Sequence, residues 1–406
     1  MNRTSLALSN LRAYAVLVVV AFHSSIAYLS SQPAAALPFD KPPFGWTVNP
    51  IVDADRWLGL DLFCASQFLY MMQLMFFLSG LFVWPSLQRK NWHAFLYDRF
   101  VRLGLPFALG VALLMPVAYY PVYRVTAVDP SWSAFWSHWI ALPFWPSGPL
   151  WFLYCLFLLN VGAAALYWLA PRAVERVTRL VAKTDPIRCF AVLVIVSLLA
   201  YFAFTDLAEP WHWVEYGPFA IQPAFAPQYA IYFLGGLVVG AGGLERGLLG
   251  PDGTLARHWG AWLGAAVVSF LVWISATAMV VKGHALPGLS IVSGIGLALY
   301  AASTCFAASA IFLRFTTARR PLLDAVSENA YGIYLFHYVF VLWMQYLLLG
   351  VDLPAIFKAV IVFGCTIVLS WAATAAVCSV PFGARMIRGQ RRSAPTVASS
   401  SAKSAS

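Results

Sequence analysis

An arginine and a histidine share one face of the first apolar segment. Arg12 and His23 are eleven residues apart, close to three helical turns, so their side chains project in nearly the same direction. At about 1.5 Å per residue, His23 lies roughly 16 Å beyond Arg12, near the middle of a bilayer. A neutral imidazole can act as a general base near pH 7. His23 is therefore a candidate base, with Arg12 at the mouth of its groove.

A second histidine lies at similar depth in a later apolar segment. His337 follows Glu328 by nine residues, which also places it near mid-membrane. Two interpretations stay open. His337 faces the same cavity as His23, or it is a packing residue that Tyr334, one turn earlier, satisfies by a hydrogen bond.

Two arginines precede the third apolar segment. Arg99 and Arg102 have the i, i+3 spacing that puts both on one helix face. Guanidinium groups bind phosphate well, so the pair is a candidate anion site. The alternative is ordinary anchoring at a membrane surface.

The composition decides where these residues must sit. Of 406 residues, 61% are hydrophobic and 10% are charged, whereas a soluble domain has nearer a half and a quarter. This excludes a soluble enzyme, a nucleic-acid binder and a disordered scaffold. The net charge of +10 lies in clusters between apolar runs, which is typical of a multi-pass protein in a lipid bilayer.

Runs of about 20 apolar residues predict membrane-spanning helices. We predict an all-α, polytopic membrane protein with about ten such helices. The predicted spans are 11–31, 60–84, 103–122, 149–170, 188–204, 219–243, 259–281, 286–313, 328–349 and 354–379.

Basic residues predict the orientation. With ten spans, all but five of the 26 Lys and Arg lie on the side of the N-terminus, so both termini are predicted to be cytoplasmic. The five on the outer side are Lys41, Arg56, Arg124, Lys282 and Lys358. Residues 1–384 form one membrane domain, and residues 385–406, basic and then rich in Ser and Ala, form a disordered tail.

The predicted outer loops 32–59, 123–148 and 205–218 are aromatic and acidic. Their tryptophans are Trp46, Trp57, Trp132, Trp136, Trp139, Trp145, Trp211 and Trp213, and their acids include Asp40, Asp53, Asp55, Asp129, Asp206, Glu209 and Glu215. An interfacial aromatic belt explains such residues. Aromatic faces beside carboxylates also suit a sugar.

Five segments together resemble one family, the acyltransferase family 3 membrane proteins. In chain order they are Leu11-Arg12 with His23, Phe76-Phe77-Leu78-Ser79-Gly80, Arg99-x-x-Arg102-Leu103-x-x-Pro106, Gly148-Pro149-Leu150-Trp151-Phe152-Leu153, and the run from Ser327 through Tyr331-Gly332-Ile333-Tyr334-Leu335 to His337.

This resemblance implies transfer of an acyl group from cytoplasmic acyl-coenzyme A to a hydroxyl of an extracytoplasmic glycan or similar acceptor, in the cell inner membrane. It implies His23 as the base, Arg12 as its partner, and Arg99 and Arg102 on the donor phosphates. Ser79 is expected at the site of the acyl-coenzyme A donor. Ser79, Tyr334 and His337 are candidates for the group that donates a hydrogen bond to the oxyanion. We expect no metal or prosthetic group.

Two departures from the family pattern matter. Gln73 stands where many members have an acid. The chain also lacks the hydrolase-like C-terminal domain of some members, and in this respect it is more similar to the single-domain branch that modifies periplasmic glucans with succinyl groups. The acyl group that the resemblance implies is acetyl or succinyl.

Other functions stay open. The main alternative is a proton-coupled transporter or exporter of small anionic or hydrophobic solutes, with the histidines as a relay. A membrane scaffold or sensor is a third. The oligomeric state is not predictable, because lipid-facing and partner-facing surfaces share one composition.

Overall fold

The computed structural model of the chain describes residues 3–205, 213–245, 247–283 and 288–389. Within them the chain is almost entirely helical, because a backbone in hydrocarbon must satisfy its own hydrogen bonds. The helices are α1 Arg3–Ser25, α2 Leu58–Gly80, α3 Val83–Arg89, α4 Trp92–Arg99, α5 Leu105–Leu109, α6 Met115–Thr126, α7 Trp132–Ala141, α8 Trp151–Leu169, α9 Pro171–Ala182, α10 Pro186–Thr205, α11 Ala226–Ala241, α12 Thr254–Arg257, α13 Trp259–Val281, α14 Leu289–Phe315, α15 Pro321–Leu347, α16 Ala355–Cys378 and α17 Pro381–Arg388.

In the described part of the chain, eight helical segments are long and apolar enough to cross a membrane. Each of the ten predicted runs overlaps a helix, and two of those helices fall outside the eight. One is α11, which has only 16 residues. The other is α15, whose tyrosines, His337 and Gln345 lower its hydropathy. The chain is a multi-pass membrane protein.

Contacts between helix ends show that the bundle has two distinct ends. The start of α1 contacts the first turns of α15 through Ser9 and Ser327, and the start of α13 contacts the end of α14 through Trp259 and Phe315. The ends of α2 and α8 lie toward the start of α1, because Ser79 and Asn160 line the same cavity as Ser5 and Ser9. We call this the basic end, because Arg12, Arg99 and Arg102 lie toward it. The opposite end carries α7 and a two-stranded hairpin, β1 (Val214–Tyr216) and β2 (Phe219–Ile221), in which Val214 pairs with Ile221.

Helices α1, α2 and α14 are mostly buried, whereas α10, α13 and α16 expose most of their apolar side chains, as lipid-facing helices do. Glycines allow α2 and α11 to touch. A Cβ added at Gly80 would lie 2.1 Å from the Phe233 carbonyl oxygen, and one at Gly236 would lie 2.1 Å from that of Phe77. Small residues permit such close approach in membrane helices. The Ser-Gly pair that ends α2 therefore has a packing role.

Lys358, one of the basic residues predicted on the outer side, is fully buried in the first turn of α16, where it pairs with Asp53 and Asp55 of the first predicted outer loop. One predicted feature is placed differently by the structure. The predicted tail boundary at 384/385 falls inside α17, so residues 385–388 are helical. Residues 390–406 lie outside the described part of the chain, as do Asp206, Glu209 and Trp211.

Candidate active site

A cavity of about 430 Å³ lies inside the basic end of the bundle. We call it the basic cavity. Its polar lining is Ser5, Ser9, Arg12, Ser79, Ser86, Arg89, Arg99, Arg102 and Asn160. Arg12 is exposed to this space, with its guanidinium carbon 5.0 Å from the centre of the Phe82 ring. Four arginines around one cavity make a strong site for a phosphate-bearing ligand.

The backbone that carries Arg99 and Arg102 is irregular. Residues Phe100–Gly104 form a π-helical turn between α4 and α5, a feature common at functional sites. Pro106 has no N–H to donate to the Arg102 carbonyl, as a residue in an α-helix would. The Tyr331 hydroxyl donates to that carbonyl instead. This hydrogen bond joins two of the segments that resemble the family, the one with Arg99 and Arg102 and the one that runs from Ser327 to His337.

A second cavity, of about 180 Å³, lies toward the opposite end. We call it the His23 cavity, because the half-buried imidazole of His23 lines it. Trp151 and Trp213 form an edge-to-face pair in its wall, with ring centres 5.6 Å apart. Glu215, on β1, also lines this cavity. Burial raises the pKa of the Glu215 carboxyl above its ordinary range.

A thin partition separates the two cavities. Tyr334 lines the basic cavity and Tyr338 lines the His23 cavity, and four residues of helix rise by only about 6 Å. The Tyr334 hydroxyl donates to the carbonyl of Pro149 in the turn Gly148–Leu150. A Cβ at Gly148, whose φ is +47°, would lie 2.9 Å from the Tyr338 ring. The turn that opens α8 thus completes the partition.

The two candidate histidines meet at this partition. His337 is fully buried, and its Nε2 lies 3.4 Å from His23 Nδ1. His337 Nδ1 lies 2.7 Å from the Tyr334 carbonyl oxygen, and His23 Nδ1 lies 2.9 Å from that of Val19. His337 lines neither cavity; the carbonyl of Tyr334 satisfies its Nδ1, and its Nε2 contacts His23 directly rather than across a shared cavity.

These contacts assign the protons of the neutral rings. A carbonyl only accepts hydrogen bonds, so Nδ1 carries the hydrogen in both histidines. The one Nδ1–H of His23 donates to the Val19 carbonyl at 2.9 Å, and His337 Nε2, at 3.4 Å, is a second and more distant acceptor beside it. His23 Nε2 has no hydrogen-bond partner among the described residues and keeps its lone pair in a ring that borders the cavity. This arrangement suits His23 as a proton acceptor and His337 as the group that orients it.

Gln345 supports the same region. Its Nε2 donates to the carbonyls of His23 and Ser24, at 2.9 and 3.4 Å. Carbonyls in the last turn of a helix lack intrahelical donors, so Gln345 holds the end of α1. The sequence contains no local signal for this contact, since the partners are 322 residues apart.

The candidate oxyanion donors are engaged with backbone carbonyls. Ser79 Oγ donates to the Met75 carbonyl at 2.8 Å, and the Tyr334 hydroxyl donates to Pro149. Gln73 is buried and donates to Gln228 on α11 at 3.4 Å. It lines neither cavity.

The structure therefore divides the predicted site residues between two places. Arg12, Arg99, Arg102, Ser79 and Tyr334 line the basic cavity, and His23 lines the other. Arg12, expected at the mouth of the groove of His23, lines the basic cavity, whereas His23 lines the other cavity. No group of three or more His, Cys, Asp or Glu that could hold a metal occurs in the described residues; independence from metals stays a prediction.

The chain was compared with known proteins. A family model described as an acyltransferase domain, that of acyltransferase family 3, matches residues 5–375, which is nearly the whole chain. No curated protein and no solved structure matches the chain.

Proposed function

The chain belongs to acyltransferase family 3, and we propose that it carries an acyl group from a coenzyme A thioester on one side of a membrane to a hydroxyl on the other. The arginine-rich basic end faces the cytoplasm, in keeping with the positive-inside rule. With α11 and α15 also crossing, the chain passes ten times and both termini are cytoplasmic. The membrane is the cell inner membrane.

The observation that carries this proposal is the pair of cavities on either side of one histidine pair. A donor with phosphates suits the four arginines of the basic cavity. An acceptor reaches His23 from the other end. An enzyme whose substrates arrive from opposite sides needs a reactive group near mid-membrane, and only a turn of helix separates Tyr334 from Tyr338.

The acceptor class follows from the His23 cavity. Trp151 and Trp213 offer apolar faces, while Glu215 and the hydroxyls of Ser147 and Thr47 offer hydrogen-bonding groups. Stacking surfaces beside polar groups suit a sugar ring, so the acceptor is a glycan hydroxyl. The donor is acetyl- or succinyl-coenzyme A.

The reaction proceeds in one transfer. His23 Nε2 takes the proton of the acceptor hydroxyl as its oxygen bonds to the thioester carbonyl carbon. Tyr334 exchanges its hydrogen bond to Pro149 for one to the developing oxyanion. The carbon–sulfur bond then breaks, and the His23 imidazolium returns the proton to the leaving thiolate. The Val19 carbonyl accepts from His23 Nδ1, with His337 Nε2 as a second, longer contact, and both stabilise the imidazolium in between.

Thiol release tests the proposal. The protein is purified in detergent and given acetyl- or succinyl-coenzyme A with crude periplasmic glycans. We expect glycan-dependent thiol release that His23→Ala lowers by roughly 10²-fold or more. His258→Ala is the matched control, since this exposed histidine ends α12 and lines neither cavity.

Thiol release that survives His23→Ala would support acyl transfer and show that a residue other than His23 is the base. Folded wild-type protein that neither binds coenzyme A nor releases thiol would overturn the proposal in favour of transport.

A further inference from the structure

A third cavity lies beside the basic cavity and opens a route to the C-terminal helix. Its volume is about 160 Å³, and we call it the α17 cavity. It shares Ser86, Arg99 and Arg102 with the basic cavity. Whole ligands need roughly 300–1,000 Å³, so the α17 cavity is too small for a separate ligand. It can hold one end of a ligand that also fills the basic cavity.

The α17 cavity is strongly positive. It is lined by Lys90, Arg99, Arg102, Arg385 and Arg388 and by one carboxylate, Asp98. Lys90 pairs with that carboxylate. None of the four arginines forms an ion pair with any of the described residues, which leaves four positive charges around a small space.

The arginines are oriented by weaker contacts. Arg388 donates to the Asn329 side-chain oxygen at 3.3 Å, and Arg385 lies 5.8 Å from the centre of the Tyr97 ring. Arg102 Nε is buried with no hydrogen-bond partner among the described residues. A buried donor without a partner is costly unless a ligand satisfies it. The site therefore has the character of one built for an anion.

Coenzyme A carries two separate anionic groups, a diphosphate and a 3′-phosphate on the ribose. We infer that Arg385 and Arg388 of α17 bind the 3′-phosphate, while the arginines of the basic cavity hold the diphosphate. A phosphate monoester carries a charge of about −1.5 to −2 at pH 7. This inference rests on the proposed function. It concerns residues beyond the family match, which ends at residue 375.

The same contacts connect this site to the reaction centre. Asn329, which Arg388 contacts, lies on α15, as do Tyr331, Tyr334 and His337. Tyr331 also bonds the backbone of Arg102. A ligand phosphate that orders Arg388 and Arg102 thus holds α15 at Asn329 and Tyr331, five and three residues before Tyr334.

Binding of two commercial nucleotides tests the inference. Calorimetry on the full chain in lipid-free detergent compares coenzyme A with 3′-dephospho-coenzyme A. We expect wild type to prefer coenzyme A by about tenfold to a hundredfold. The double variant Arg385→Gln with Arg388→Gln should lose this preference and bind 3′-dephospho-coenzyme A as wild type does.

The matched control is Arg172→Gln with Arg176→Gln. These two residues lie on α9, are exposed and line none of these cavities, so the same loss of charge should leave the preference intact. Should the double variant fail to fold, Arg385→Lys keeps the charge without the fork of donors and should retain only part of the preference.

The outcomes are distinct. Wild type that binds both nucleotides equally overturns the inference and leaves the proposed function intact. Equal weakening of both nucleotides in the double variant also overturns it. Wild type that binds neither contradicts the proposed function itself. A lipid headgroup is the other source of a phosphate. In that case the double variant keeps the wild-type preference for coenzyme A over 3′-dephospho-coenzyme A and loses binding to phosphatidylglycerol vesicles instead.

Discussion

Tyr334 and Tyr338 lie one turn apart on α15, yet they line different cavities at opposite sides of the bundle. His337 lies between them in sequence and faces His23 across 3.4 Å. A single turn of one helix thus contains a wall residue of each cavity and the histidine contact. In the proposed mechanism, the chemistry takes place at this turn and at His23.

Replacement of His337 tests whether this residue orients His23 or takes part in substrate binding. His337→Gln replaces the ring that contacts His23 Nδ1 at 3.4 Å while the Val19 carbonyl still accepts from that nitrogen, so we expect kcat to fall by roughly tenfold. The KM values should change little, because His337 lines neither cavity. Steady-state kinetics on both substrates measure this split. Raised KM with unchanged kcat would show that His337 acts in binding, and His258→Gln serves as the control.

Glu215 predicts a pH dependence of acceptor binding. Burial raises its pKa, so the carboxyl stays protonated to higher pH than an ordinary glutamate. Only the ionised form accepts hydrogen bonds from acceptor hydroxyls with both oxygens. Below the raised pKa, the acceptor KM of wild type should match that of Glu215→Gln. Above this pKa, the acceptor KM of the variant should exceed that of wild type by roughly tenfold.

The ratio of the two acceptor KM values across pH is the measurement, since it cancels the titration of other groups. The exposed Asp352 supplies the control Asp352→Asn. A ratio that is constant with pH would exclude Glu215 from acceptor binding.

A buried ion pair holds the first long loop against α16. Lys358 Nζ donates to both carboxylate oxygens of Asp53 at 2.9 Å and to Asp55 at 2.7 Å. Removal of one partner leaves a buried charge, so Lys358→Met should lower the free energy of unfolding by roughly 3–5 kcal/mol. Thermal melts in detergent against the exposed Lys282→Met check this. Equal melting temperatures would contradict the burial of the pair.

Adjacent glycines on α11 provide a matched test of packing. A Cβ at Gly236 would lie 2.1 Å from the Phe77 carbonyl oxygen, whereas one at Gly235 meets nothing within 4 Å. We expect Gly236→Ala to destabilise the protein by roughly 1–3 kcal/mol or more. Gly235→Ala should be neutral or stabilising, because alanine favours helix. Thermal melts that rank the two variants in the opposite order would contradict the close contact of α2 and α11.

The sequence was sufficient for features that depend on local pattern. Apolar runs predicted a helix at every place where the structure has a long one, because hydrophobic length is a local property. The RxxR spacing predicted that Arg99 and Arg102 share a site, and the structure places both in the basic cavity. Membership of the family was predicted from five short motifs and is confirmed.

Features that depend on distant partners were not predictable. Lys358 is buried because Asp53, 305 residues away in sequence, neutralises it. Helical spacing put Arg12 and His23 on one face, yet the two side chains line different cavities. In the sequence Glu215 was one of several acids in the predicted outer loops, and only the folded hairpin shows that it lines the His23 cavity. Arg385 was predicted to begin a disordered tail, whereas in the structure it lies on α17 and lines the α17 cavity together with Arg102.

In the proposed mechanism the acyl group crosses the membrane between two cavities. Proteoliposomes with glycan trapped inside and radiolabelled acyl-coenzyme A added only outside test this transfer most directly. We expect labelled glycan in the lumen with wild type, none with His23→Ala, and all nucleotide still outside. Label that appears on glycan only when donor and acceptor share one side of the membrane would contradict the account.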